Sequence, residues 1–80
     1  MTLGELMKSV CICGKVTLAE LYKDGHIDTK TIGWTDGLKE SEEYHMGGGN
    51  WVFVSDYEDL EVNAIYTNSN SVTIEMHADE

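Results

Sequence analysis

Cys11 and Cys13, one residue apart, come closest in this chain to a metal-binding pattern. Two thiolates from this pair, joined by His26, His45 or His77 and a carboxylate, would make a tetrahedral zinc site. The spacing argues against it: structural zinc knuckles place two to four residues between the cysteines of matched pairs, against one here, and no second pair exists. No metal or other cofactor is expected, and small side chains buried at the end of a helix are the plainer reading. A disulfide between the two would close a strained ring, so reduced thiols and a cytoplasmic home are expected.

Gly47, Gly48, Gly49 and Asn50 invite comparison with loops that cradle phosphate. Such loops need Lys-Ser/Thr directly after the glycines, or a strand before and a helix after, whereas Trp51, Val52, Phe53 and Val54 follow here and Glu42 and Glu43 precede. Phosphate would meet negative charge. Asp56, Glu58 and Asp59 lack the glycine and the bidentate terminal Glu of a calcium loop and read as a solvated acidic face. No nucleophile, base and orienting group assemble from the three His and the cysteines, so no enzyme is expected.

Charge is the strongest signal. All five Lys lie before position 40, there is no Arg, and residues 40–80 carry ten carboxylates without a cation, so the second half supplies the whole formal charge of −10. A phosphate backbone would be repelled, which excludes direct DNA or RNA binding. The same polarity suits a basic protein surface, which it would meet through fast, salt-sensitive encounters. Tyr44 and Tyr57 sit inside the acidic segments, where a core is not expected, whereas Trp34, Trp51 and Phe53 read most simply as core. The candidate partner-binding residues are Glu40, Glu42, Glu43, Tyr44, Asp56, Tyr57, Glu58 and Asp59.

The elements that must position these residues make a single domain over 1–80. Thr2 and Glu5 fit a capping box, and Leu3, Leu6, Met7 and Val10 mark a short amphipathic helix. From Lys15 the apolar period becomes two, up to Asp24-Gly25, a hairpin signal. A two-residue loop there would set Tyr22 opposite Ile27, Leu18 opposite Thr31 and Lys15 opposite Trp34. Asp36-Gly37 closes this hairpin, and residues 38–46 fit either a short acidic helix or an extended connector. Residues 51–54 read as a buried strand or an apolar anchor. Alternation in Leu60, Val62, Ala64 and Tyr66, and again in Val72, Ile74 and Met76, predicts a second hairpin. The expected fold is α+β: a short N-terminal helix packed on an antiparallel sheet of four to five strands built from two hairpins. No apolar run approaches the ~20 residues needed to span a bilayer, and no leader pattern opens the chain.

The opening Met1 to Met7, the Lys15-Val16 strand, the Asp24-Gly25 hairpin and the strands Leu60 to Ile65 and Val72 to Met76 together resemble small uncharacterised accessory proteins of phages and mobile elements of Gram-positive bacteria. The glycine run and the Cys-x-Cys fall outside that pattern. The resemblance implies action by binding a host or phage partner, in some cases to inhibit a host defence enzyme, and it carries no catalytic residue. The leading expectation is an acidic interaction module that mimics nucleic acid on the basic surface of a host protein, such as a nucleic-acid enzyme. One alternative is a homo-oligomeric small-molecule binder or sponge using Tyr44, His45, Gly48 and Trp51 between subunits. Another is a structural protein with no ligand.

Overall fold

The computed structural model describes residues 1–39, 43–47, 50–67 and 70–78, with the backbone alone for 45–47 and 50. Glu40, Glu42 and Gly48 lie outside the described residues. Helix α1 (Leu3–Ser9) starts on the predicted capping box: Glu5 N donates to Thr2 Oγ1 at 3.2 Å, and Thr2 N donates to Glu5 Oε1 at 2.9 Å. The two helix donors ahead of Glu5 are satisfied across the chain, Leu3 N by the Leu60 carbonyl at 3.0 Å and Gly4 N by the Glu58 carbonyl at 2.9 Å. A helix of 7 residues would not persist alone. Burial of Leu3 and Leu6, together with these bonds, holds it against the 57–60 turn.

Strands β1 (Gly14–Leu21) and β2 (Ile27–Thr35) form the predicted hairpin in a different register. Tyr22 N donates to His26 O and Gly25 N to Tyr22 O, both at 3.0 Å, and Gly25 has φ +94°. This is a three-residue loop closed by a glycine in the left-handed region, not a two-residue turn. Side chains explain the choice: Asp24 Oδ1 accepts from His26 N at 3.0 Å, and the Tyr22 and His26 rings stack with centroids 4.2 Å apart. Leu21 therefore faces Ile27, Leu18 faces Lys30 and Val16 faces Ile32, with a bulge between Gly14 and Val16. The shift by one residue turns Lys30 and Ile32, in place of Thr29 and Thr31, toward the core face.

Strands β3 (Glu43–Gly47) and β4 (Asn50–Phe53) pair as a separate two-stranded sheet, so the 38–46 segment ends in a strand, not in a helix. A 3₁₀ turn at Val54–Asp56 leads to β5 (Val62–Thr67) and β6 (Ser71–His77). The main sheet has the order β2-β1-β6-β5. Its outer pairs are antiparallel, but β1 and β6 run parallel at its centre, with Val16 beside Val72 and Leu18 beside Ile74. The expectation of one antiparallel sheet is corrected here, because alternation fixes which face is apolar and says nothing about strand direction. Val16, Leu18, Ile32, Ile74 and Met76 form the buried sheet face, covered by Leu3, Leu6, Val54 and Tyr57. Among the described residues, no helix is long and apolar enough to cross a membrane.

Candidate functional site: an acidic face around an exposed aromatic pair

Backbone pairing in the β3–β4 hairpin sets two faces. Tyr44 pairs with Val52 and Glu43 with Phe53, so alternation sends Tyr44 and Val52 one way and Glu43, Trp51 and Phe53 the other. Val52 is buried in the core and Tyr44 is half-buried against it. Trp51 is 57% exposed and Phe53 47% exposed, and Trp34 on β2 reaches 77%. The expectation that these three aromatics are core is thus corrected. Leu38, Val52, Val54 and Tyr57 fill the interior that they would have occupied.

Tyr57 is corrected in the opposite direction. It is only 8% exposed, inside the core, and Lys30 Nζ lies 5.8 Å from its ring centroid. Burial pushes its phenol up from the ordinary value, against the nearby Lys30 ammonium, which pulls it down. Lys30 donates to Asp28 Oδ2 at 2.6 Å and to Glu20 Oε1 at 3.4 Å, and the Asp28 bond chiefly holds its own pKa above the usual lysine range. Tyr44 also serves the fold. Its hydroxyl donates to Gly37 O at 3.3 Å and accepts from Lys39 N at 3.0 Å, tying the 37–39 segment to the hairpin.

The carboxylates divide into engaged and unengaged sets. Glu61 receives the N-terminal ammonium at 2.8 Å, an interaction that raises the ammonium pKa. Glu75 receives Asn63 at 2.6 Å and Tyr66 at 2.9 Å, and its charge and hydrogen bond push the Tyr66 phenol up. Among the described residues, the carboxylates of Glu43, Asp56, Glu58 and Asp59 make no hydrogen bond or ion pair. Glu43 stands opposite Phe53 in the hairpin, and Asp56 follows three residues later on the 3₁₀ turn. Glu58 is half-buried through its backbone tie to Gly4, while Glu43, Asp56 and Asp59 are exposed. The structure thus sets one sequence-predicted acid, Glu43, opposite the exposed Phe53, and carries Asp56 on the turn that follows β4. The signal for this was in the sequence, since Glu43, Trp51 and Phe53 have the same parity once the hairpin pairs.

Of the set suggested for a pocket between subunits, only the Tyr44 and Trp51 side chains are among those described. Tyr44 and Trp51 lie on opposite faces of the hairpin, and of His45 only the backbone is described. A groove of about 410 Å³ does exist elsewhere, between α1 and the β5–β6 end of the sheet, lined by Leu6, Val10, Ile65 and Ile74 with Cys11 and Cys13 at its side. Both cysteines are exposed, not buried, because α1 ends at Ser9 and the extended segment after it turns Ile12 inward. Among the described residues, no group of three or more His, Cys, Asp or Glu is placed to hold a metal. Comparison with protein-family models, with curated proteins and with solved structures gave no match.

Proposed function

We propose that this protein is an acidic interaction module whose β3–β4 hairpin and 54–59 turn dock on a basic surface of another protein. The observation that carries the reading is the exposure of Trp51 and Phe53, both about half exposed, on a hairpin face where Glu43 stands opposite Phe53, next in the chain to a turn bearing Asp56, Glu58 and Asp59. Exposed aromatics are the anchors that interfaces use most, and charges around them steer encounter and fix orientation. The interior is filled by Val52, Val54 and Tyr57, and the two aromatics stand outside that core. A nucleic-acid-binding enzyme of a phage or mobile-element host fits as the partner class. Its channel offers the positive field that a chain of net charge −10 would seek.

The test is capture of host proteins on the immobilised chain across a salt series, with two variants. Glu43→Lys/Asp56→Lys/Glu58→Lys reverses the field, and Trp51→Ala/Phe53→Ala removes the anchors. Surface changes of this kind cost within about 0.5 kcal/mol each, so both variants should keep the wild-type circular dichroism. A genuine partner is retained by the wild type at low salt, is lost from both folded variants, and is displaced by duplex DNA or RNA. Retention that ignores both variants and salt rejects the proposed face.

A further inference from the structure

The thiol pair lies outside the acidic face, and three observations meet on it. First, Cys11 Sγ and Cys13 Sγ are 3.2 Å apart, both exposed, because the intervening Ile12 turns into the core and leaves its two neighbours on one side. Second, the 36–37 turn is fitted to the pair: the Asp36 carbonyl accepts from both thiols, at 3.6 Å and 3.2 Å, and a Cβ on Gly37 would come within 3.0 Å of Cys11 Sγ. Third, three of the five lysines of a strongly negative chain stand around the pair. Lys8 and Lys39, together with Asp36, line the hollow that holds Cys11, and Lys15 lines the one that holds Cys13, whose thiol the Cys11 hydrogen bond chiefly holds above its ordinary value.

We infer that Cys11 and Cys13 form a reversible dithiol–disulfide site, oxidised by a small anionic disulfide of the glutathione class. One cysteine thiolate attacks a sulfur of the incoming disulfide, forming a mixed disulfide and releasing one glutathione thiolate. The second cysteine, as thiolate, attacks the protein-side sulfur of that bond, closing the Cys11–Cys13 bridge and releasing the second glutathione. The protein loses two hydrogens, and the small disulfide is reduced to two thiols. The short ring is strained in either state, which keeps the bridge easy to reduce, but the sulfurs meet rarely in the unfolded chain whereas the fold holds them in contact before reaction. An exposed bridge of this kind remains open to reduction, as a regulatory pair must be. Lys8, Lys15 and Lys39 supply the attraction that a carboxylate-bearing disulfide needs on approach.

Intact-mass analysis of the full chain in glutathione buffers of graded disulfide-to-thiol ratio tests this. The folded wild type should lose two hydrogens at a ratio at least about tenfold lower than the same chain unfolded in urea, a shift of about 30 mV. Cys13→Ser should instead trap one glutathione on Cys11. Equal midpoints for folded and unfolded chains, or wild type that accumulates glutathione adducts or linked dimers without the internal bridge, would overturn the assignment. The readout is independent of partner binding, so failure of one proposal leaves the other standing.

Discussion

Lys30 shows how one side chain can occupy a place that hydropathy would give to an aliphatic residue. Facing Leu18 on the buried side of the sheet, it lays its amine near the Tyr57 ring while Asp28 and Glu20 satisfy the charge. Lys30→Met should lower stability by about 1 kcal/mol, since Glu20, half-buried, then loses its cation. Glu20→Gln in that background should recover part of the loss, measured as a double-mutant cycle in urea. The sign of the pH dependence follows from the shifts. Lys30 and Tyr57 both hold their protons more tightly when folded, so their stabilisation is complete below the ordinary values of 10.5 and 10.0 and is lost as pH rises through the folded ones. Glu5, lowered chiefly by its backbone hydrogen bond from Thr2, acts oppositely: its contribution is present above 4.5 and is lost as pH falls through the depressed value. Thermal melts between pH 3 and 11 should therefore fall at both ends, and Lys30→Met should flatten the alkaline limb.

At the level of elements, the 22–26 turn and the α1 contact make separate predictions. Gly25→Ala places a Cβ at φ +94°, and equilibrium unfolding should show a loss of about 1 kcal/mol although nothing lies within 4 Å to clash. Gly4→Ala reverses the usual helix preference for alanine. Its Cβ would approach the Glu58 carbonyl to 3.2 Å, the same oxygen that accepts Gly4 N, so the substitution should destabilise. What could be read from the sequence follows the same division. The capping box at Thr2 and Glu5 and the apolar parity of β1, β5 and β6 are local patterns and are visible. The register of the first hairpin depended on Tyr22 stacking on His26, and the exposure of Trp51 and Phe53 on Val52 and Val54 winning the interior; both are contests between tertiary contacts. Tyr57 escapes a sequence reading for the same reason, since it stands between the exposed Asp56 and the half-buried Glu58 while its own ring meets Lys30.

Over the whole molecule, a charge of −10 on 80 residues sets two tendencies against each other. Self-repulsion works against the compact state, so salt should raise the melting temperature of the isolated protein. Salt should simultaneously weaken capture of a basic partner. Opposite slopes in the two measurements over the same range are the expected signature of the docking face, and parallel slopes would count against it. The parallel contact between β1 and β6 bears on a different question, the order of events during synthesis. Val16 and Leu18 can form with β2 as soon as that hairpin leaves the ribosome, but their other edge waits for Val72 and Ile74, more than fifty residues later. Until then the nascent chain exposes an unpaired apolar strand edge, and closing the sheet requires a long loop entropy to be overcome in one step. The main sheet can therefore close only once its last strand, β6, has been made.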